Sequence, residues 1–338
     1  MNARGIMEQL GPDPHIATEA GEEALVERQT RLRFYLGELR LAVFAFPTLV
    51  YPRPFTKQRH HSLVPRNVLR NHPGVYRAVV FPSQVVVNAS RRLAFLDGCL
   101  RYVPVSAPRL YVTFSGRFSD YVQSNFDAKQ RHNLTRTVRK FDELNSGKPS
   151  FRRFTKVSEM AAYQRLARTV AECTYQEHSL RVALPGTTQF LEQLEAGAEH
   201  DRVRGYVLFH QAKPVAYAHC SFNEDVLEYQ IVGYDPAYAK WSPGTVLLYH
   251  ILADQFSEGR ASVLDFGTGE SPYKTHFATH RTWCSDVYYF TPTISNVMLI
   301  LAHTLVDYIS VSTGKLLECL RVKSAVRGLM RRWRGLGS

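Results

Sequence analysis

Side chains that can transfer protons are concentrated in one segment of the sequence, VLDFGTGESPYKTHF, at residues 263–277. This segment places Asp265 near the end of a predicted strand, and Tyr273 and Lys274 at the start of a predicted helix. In layered α/β sheets, ligands collect beyond the carboxyl ends of strands, so these groups are expected beside a ligand. Asp265 is therefore a candidate catalytic residue and Lys274 a candidate substrate-binding residue. The alternative is that Asp265 and Lys274 only pair with each other.

The strand VLEYQIVGY carries a further candidate, Glu228. Alternation with a period of two places Glu228, Gln230 and Val232 on one face and Leu227, Tyr229 and Ile231 on the other. Burial in such an apolar strand would raise the pKa of the Glu228 carboxyl, which suits a general base. An edge strand with Glu228 in water fits the pattern equally well.

An anion site is predicted where a short loop leads into a leucine-rich helix, at Ser242-Pro243-Gly244-Thr245. The first N–H groups of a helix have no intrahelical acceptor, and the helix dipole is positive at that end. Ser242, Gly244 and Thr245 are the candidate binding residues. An ordinary strand-to-helix turn remains the alternative.

Two basic segments are predicted to be helices. The first covers Phe118–Gly147, with Ser119 as its N-cap, and its basic side is formed by Lys129, Arg136, Arg139 and Lys140. This side is either a solvated face or a cradle for phosphates, in which Arg136 and Arg139 would contact the donor or an anionic acceptor. The second is KLLECLRVKSAVRGLMRRWR at Lys315–Arg334, which either packs on its own domain or lies on an anionic bilayer.

No metal site is predicted. His276, His280 and Cys284 have the spacing of metal ligands on a helix, but strand-like sequence begins near Thr282. The five cysteines are scattered, which argues against a disulfide scaffold and favours a reducing compartment.

The sequence predicts a folded protein with a mixed sheet. From residue 151 to residue 291 the predicted order is β-α-α-β-β-β-α-β-α-β, which makes an α/β (α+β mixed sheet) fold with helices on both faces. The 338 residues are 45% hydrophobic, which excludes wholesale disorder, and the net charge of +12 favours polyanionic partners.

The longest apolar stretch, Asn296–Ile309, is short of a membrane span, and the start has no signal-peptide pattern. We therefore expect a cytoplasmic protein, with peripheral contact at the inner membrane surface through its basic C-terminus.

The stretch Tyr229–Phe277 resembles the GNAT acyltransferase superfamily, specifically its CelD-like or BioF2-like branch, which is akin to the Fem-type transferases. The resemblance rests on the Tyr-Asp-Pro strand end, the Ser-Pro-Gly turn before a leucine-rich helix, and the Asp-Phe-Gly strand end before Tyr-Lys. With the basic helix and Cys173-Thr174-Tyr175-Gln176, the resemblance covers roughly Arg117–Pro292.

The resemblance implies a GNAT fold in tandem with a degenerate N-terminal GNAT-like half. The expected domains are a flexible leader (1–30), a degenerate GNAT-like domain ending in the basic helix (31–147), a catalytic GNAT domain (148–292) and basic amphipathic helices (293–338).

The resemblance also implies roles for individual residues. In the family's pyrophosphate loop, Gly244 matches the second small position, but Ser242 replaces the first glycine and Ala239 replaces the Gln/Arg, with Lys240 beside it. Tyr273 falls where the family often has a tyrosine that protonates the leaving thiolate. Glu228 lies on the strand from which many members take a general base. Apart from the resemblance, Thr174-Tyr175 would either line a substrate pocket or only cap the helix.

The expected function is an acyl-CoA-dependent N-acyltransferase that acylates a small amine in a ternary complex, with acyl-CoA as co-substrate and no tightly bound cofactor. A Fem-like transferase that uses aminoacyl-tRNA is the alternative, favoured by the net charge, the basic helix and the altered loop. A non-catalytic module that binds membrane or nucleic acid is a third reading, since function depends on the site rather than on the fold.

Overall fold

The structure is a computed structural model. It describes residues 25–37, 39–51, 55–56, 65–86, 92–145, 150–174 and 184–319, with side chains described as far as residue 313. The chain divides into two compact units. The central unit contains residues 107–283, and the terminal unit contains the described residues before 107 and after 283.

Twelve strands and eight α-helices are found among the described residues. In chain order they begin with β1 (Val26–Leu36), β2 (Leu39–Val50), α1 (Pro65–Asn71), β3 (Ala78–Val85), β4 (Leu93–Leu96), β5 (Cys99–Tyr102), β6 (Ala107–Thr113), α2 (Phe118–Asn125) and α3 (Ala128–Glu143). They continue with β7 (Phe151–Phe154), α4 (Val157–Ala171), α5 (Thr188–Glu199), β8 (Val203–His210), β9 (Lys213–Asn223) and β10 (Val226–Tyr234). A 3-10 helix (Pro236–Trp241), α6 (Pro243–Glu258), β11 (Val263–Thr268), α7 (Pro272–Phe277), β12 (His280–Phe290) and α8 (Ile294–Cys319) complete the fold.

The central unit is a mixed sheet with helices on both faces, as the sequence predicted. Its strand order is β6-β11-β10-β9-β8-β7, and the β10–β11 pair is parallel while the other pairs are antiparallel. A large apolar cluster on one face joins α2, α3, α6 and α7, and a second on the opposite face joins α4 and α5. The predicted order of elements is confirmed, and the strand Val226–Tyr234 has the predicted ends.

The predicted helix over Phe118–Gly147 is two helices. Asp127 interrupts it, because its side chain accepts the Gln130 N–H at 2.7 Å and the Gln130 side chain accepts the Asp127 N–H at 2.9 Å. This reciprocal cap starts a new helix at Ala128. The predicted N-cap Ser119 is also wrong, since Arg117 occupies that position.

The terminal unit has its own sheet and core. Within it, β1 pairs with β2, β2 with β3, and β3 with β12, which also pairs with the β5–β4 hairpin. The helix α1 packs on one face and α8 on the other. Residues Val26–Thr30, predicted as leader, belong to β1.

The compact units do not follow the predicted domain boundaries after residues 147 and 292. The basic helix α3 lies in the central unit because its apolar face, which includes Leu134 and Val138, joins the same cluster as Leu247 and Ile251 of α6. The predicted GNAT-like ancestry of the N-terminal half stays a prediction.

Candidate active site

The two strands that carry the predicted acids separate immediately after those acids. The parallel pairing of β10 with β11 consists of Val226 with Val263, Leu227 with Leu264, and Glu228 with Asp265, and it ends there. Beyond this point β10 continues to Tyr234 and β11 to Thr268. A gap between two central strands therefore opens directly beyond the two carboxylates.

A β-bulge in β10 lies at the start of this gap. On the neighbouring strand β9, Tyr229 is opposite Cys220 and Ile231 is opposite His219, so Gln230 is an extra residue. The predicted alternation is correct up to Tyr229 and wrong after it. An extra residue shifts every following side chain to the other face, and so Val232 packs in the cluster that holds Tyr229 while Ile231 packs on the opposite side.

The helix start that was predicted to bind an anion follows β10 by way of the 3-10 helix. Asp235 caps this short helix by accepting the Ala237 N–H at 2.9 Å, and Lys213 Nζ donates to its other oxygen at 2.8 Å. Ser242 then adopts a left-handed conformation, with φ of 52°. It is the residue that the resemblance aligns with the first glycine of the pyrophosphate loop. Pro243 follows at the first helical position, where its missing N–H costs the helix no hydrogen bond.

Gly244 has space beside it. An added Cβ would meet only Tyr234 Cδ1, at the ordinary contact distance of 3.7 Å. The glycine is thus required neither by packing within the protein nor by a left-handed backbone. Gly244 is the second residue of α6, and its N–H is one of the first in the helix, which have no intrahelical acceptor. Because Gly244 has no side chain, a ligand can approach this N–H.

Tyr273 is the second residue of α7, and its ring packs beside the gap. Its centroid is 6.4 Å from that of Tyr229 on β10 and 6.0 Å from that of Phe266 on β11. Burial raises the pKa of the Tyr273 hydroxyl to about 12. The hydroxyl therefore keeps its proton at neutral pH. Because Tyr229 and Phe266 are the residues that follow Glu228 and Asp265, Tyr273 lies on the sheet face opposite these acids.

Asp265 is almost fully buried and is held by Arg109 of β6. Arg109 Nε lies 3.0 and 2.9 Å from the two carboxylate oxygens, Arg109 Nη2 makes a further contact, and the Gly267 N–H donates to Oδ1 at 2.8 Å. Sequence reasoning missed Arg109, which precedes Asp265 by 156 residues. Nothing in the local pattern of PRLYVTF marks it. The alternative that Asp265 pairs with Lys274 is replaced by this bidentate pair.

Glu228 is less tightly held than Asp265. Its carboxylate accepts hydrogen bonds from Gln230 Nε2 at 2.9 Å and Asn223 Nδ2 at 3.5 Å. Burial, together with the charge of Asp265, raises the pKa of the Glu228 carboxyl above its ordinary value. A carboxylate with a raised pKa is a stronger base than a solvated one.

Lys274 is buried close to Asp265 and Arg109, and its ammonium donates to the Thr268 carbonyl at 3.2 Å. Burial lowers the pKa of Lys274 to about 8. The positive charge of Arg109 lowers this pKa further, and the negative charge of Asp265 partly offsets both effects. Glu228, Asp265, Arg109 and Lys274 thus form a cluster of two acids and two bases at the point where the strands separate.

The remaining predicted site residues lie farther out or are not described. Arg136 and Arg139 are exposed on α3, and Arg139 forms an ion pair with Glu143 at 3.4 Å. The Lys240 ammonium lies over the Trp241 ring at 4.0 Å. Tyr175 lies outside the described residues.

No cluster of His, Cys, Asp and Glu suited to a metal ion is present in the described part of the chain. The ligand-like spacing of His276, His280 and Cys284 is interrupted, since α7 ends at Phe277 and β12 begins at His280.

Taken together, the site offers a proton donor (Tyr273), a base (Glu228) and the N-terminus of α6 around a gap between strands.

Comparison with known proteins gives one family. Residues 128–275 match the family described as "Acetyltransferase (GNAT) domain". Comparison with curated proteins gives no match.

Solved structures with a similar backbone fold include FemX, with 9% sequence identity and a TM-score of 0.49. The superposition covers 80% of this chain and 86% of the FemX chain. L-PGS from Bacillus licheniformis has 11% identity and a TM-score of 0.45 over 81% and 88%. A GCN5-related N-acetyltransferase from Kribbella flavida has 13% identity and a TM-score of 0.35 over 78% and 90%.

The family match spans α3 to α7 and includes the gap, the bulge and the start of α6. Residues 128–275 therefore form a GNAT acetyltransferase domain, the transferase fold that the sequence resembles.

Proposed function

We propose that the protein is an acyl-CoA-dependent N-acyltransferase in which the thioester lies in the gap between β10 and β11. The observation that carries this proposal is the end of the parallel pairing at Glu228 and Asp265, with a bulge two residues later. Beyond Glu228, the backbone groups of β10 that point toward β11 have no partner there. They are available to polarise a thioester carbonyl.

The amine would attack the thioester carbon from the face that carries Glu228. As the new C–N bond forms, the amine proton passes to the Glu228 carboxylate, either directly or through one water. The C–S bond then breaks, and Tyr273 on the other face donates a proton to the departing thiolate. Solvent then takes the proton from Glu228 and returns one to the Tyr273 phenolate, which restores both groups. No covalent intermediate on the protein is required, because both substrates are held together in the gap.

The first N–H groups of α6 would hold the donor's pyrophosphate. Space above Gly244 supports this role, since no part of the protein fills the place of its missing side chain. Ser242 supplies a left-handed turn at the position that the resemblance aligns with a glycine, and Lys240 and Thr245 border the same turn. This left-handed turn supports an anion site at the start of α6 although the loop residues differ from the family pattern.

Isothermal titration calorimetry with acetyl-CoA and with CoA tests the donor site. Gly244→Val should abolish binding while the thermal unfolding midpoint stays within a few degrees, because the new side chain fills the ligand's space. Gly233→Ala is the contrast, since its Cβ would come within 2.7 Å of the Tyr217 ring and should lower the midpoint. Unchanged CoA affinity in Gly244→Val would refute the donor site.

A second candidate is a transferase with aminoacyl-tRNA as donor. One observation favours it: the basic side of α3, with Lys129, Arg136, Arg139 and Lys140, is exposed. A donor held through many phosphates should lose affinity steeply between about 50 and 200 mM salt, and CoA much less. Changing Arg136 and Arg139 to Gln should reduce that salt dependence only if tRNA is the donor.

A further inference from the structure

Helix α8 presents an apolar face to solvent. The exposed residues recur at alternating steps of four and three, and their relative exposures are Ile294 84%, Met298 62%, Leu301 50%, Leu305 59% and Tyr308 70%. Over residues 294–313 the other exposed side chains are Ser, Ala, Ile and Val. The one charged residue of this stretch, Asp307, forms an ion pair with Arg92. A continuous apolar face of this length marks an interaction surface.

The opposite face of α8 is fastened to the terminal unit along its length. Near its start, the Asn296 Oδ1 accepts a hydrogen bond from Arg77 Nε, next to β3. In the middle, His303 Nδ1 lies 2.7 Å from the Tyr102 hydroxyl, and farther on Ser310 Oγ accepts the Gly37 N–H at 2.7 Å.

These contacts determine how the helix could meet a bilayer. The sequence predicted a stretch too short to span a membrane, and that prediction is wrong by length and composition. Residues 294–313 are long and apolar enough to cross a membrane, and only 17% of the most apolar window is buried. A spanning helix is surrounded by lipid or by other spanning segments, whereas one face of α8 is joined by polar contacts to a sheet. An in-plane position, with the free face toward the lipid, fits both observations.

The sequence after residue 314, which begins with the last residues of α8, indicates the chemistry of the partner. KLLECLRVKSAVRGLMRRWR, at residues 315–334, is rich in Lys and Arg, and Glu318 is its only acid. Basic residues beside an interfacial helix are attracted to anionic lipid headgroups. Paired helices in water, by contrast, usually carry charged residues beside the apolar stripe, and the exposed positions of α8 over residues 294–313 have none.

We propose that the exposed face of α8 docks the protein on an anionic membrane surface. The helix axis lies in the bilayer plane, with Ile294, Met298, Leu301, Leu305 and Tyr308 at the boundary between headgroups and acyl chains. The excess of Lys and Arg in residues 315–334 supplies charge that anionic lipid attracts. This surface belongs to the terminal unit, whereas the transferase site belongs to the central unit.

Vesicle flotation of the full-length protein tests the proposal. The probes are vesicles of phosphatidylcholine alone and of phosphatidylcholine with about one third phosphatidylglycerol. The test variant is Met298→Glu with Leu305→Glu, which puts two charges on the free face without touching the fastened one. The matched control is Phe95→Glu, since Phe95 is 68% exposed on β4 of the same unit. Circular dichroism and thermal unfolding establish that each variant is folded.

The wild-type protein and Phe95→Glu should float with the anionic vesicles, and the double variant should partition about tenfold less or lower. Salt should weaken this binding without abolishing it, because part of it is apolar. Two results would overturn the proposal: a wild-type protein that stays unbound with both vesicle types, or a folded double variant that floats equally well. A wild-type dimer in sedimentation velocity that the double variant dissociates, without vesicle binding, would identify a second copy as the occupant instead.

Discussion

Glu228 and Asp265 are direct neighbours across β10 and β11, and they form the last parallel pair before the strands separate. Two carboxylates at adjacent positions repel each other unless one is neutralised. Arg109 binds Asp265 through both carboxylate oxygens, whereas Glu228 accepts only hydrogen bonds from amides. The environment therefore distinguishes the two acids: Asp265 is bound by an arginine, and Glu228 is left to exchange a proton.

Glu228→Gln should lower turnover by about 10²-fold or more, because the amide cannot accept the amine proton. The pH profile gives the stricter test. Activity that requires the carboxylate falls as pH drops through the raised pKa of Glu228, so the acidic limb of kcat/KM should lie above the range of a solvated glutamate. This limb should be absent from the residual activity of Glu228→Gln.

The same substitution should leave the protein as stable as before, or more so, at neutral pH. A carboxyl whose pKa is raised on folding stabilises the folded state below its unfolded pKa, and this contribution is lost as pH rises through the folded pKa. At neutral pH the charged Glu228 therefore opposes folding. Urea unfolding at pH 7 that showed a large loss of stability in Glu228→Gln would identify a structural role instead.

Arg109 and Asp265 should be strongly coupled in stability. Arg109→Met leaves the Asp265 charge buried without a partner, which should cost about 3–5 kcal/mol of unfolding free energy. The double variant Arg109→Met with Asp265→Leu should recover much of that loss, since both charges are then removed. A double-mutant cycle in urea measures the coupling. Additive losses would show that the pair acts independently.

Much of this architecture could be predicted from local patterns. The order of strands and helices in the central unit, the small residues before α6 and the positions of Glu228 and Tyr273 follow from periodicity and from turn residues. The bulge at Gln230 could not be predicted, because an extra residue in one strand has meaning only against its partner strand. Arg109 was missed for the same reason, since its role depends on a contact with a residue far along the chain.

Lys274 should give the protein an unusual rise in stability with pH. A lysine whose pKa is lowered to about 8 on folding stabilises the folded state fully only above its unfolded pKa, and this contribution is lost as pH falls through about 8. Unfolding free energy should therefore increase by about 1 kcal/mol from about pH 7 to about pH 9 in the wild-type protein relative to Lys274→Met. Lys240→Met, which changes an exposed lysine of the same unit, should keep the wild-type slope. Equal slopes in all three proteins would mean that Lys274 is hydrated.

Tyr273→Phe separates chemistry from packing. The ring that packs against Tyr229 and Phe266 is kept and only the hydroxyl is removed, so folding and CoA affinity should stay near the wild-type values. If proton donation to the thiolate limits the rate, kcat should fall by about 10²-fold or more.

Because the hydroxyl pKa of Tyr273 is raised to about 12, the tyrosine remains a proton donor up to the alkaline end of a practical pH range. A donor with a more acidic thiol needs that proton less, so an aryl thioester should restore much of the lost rate in Tyr273→Phe. Tyr238→Phe, at a partly buried tyrosine on the 3-10 helix, is the matched control and should keep wild-type turnover. Equal turnover of Tyr273→Phe and wild type with acetyl-CoA would assign the proton to water and leave Tyr273 as a packing residue.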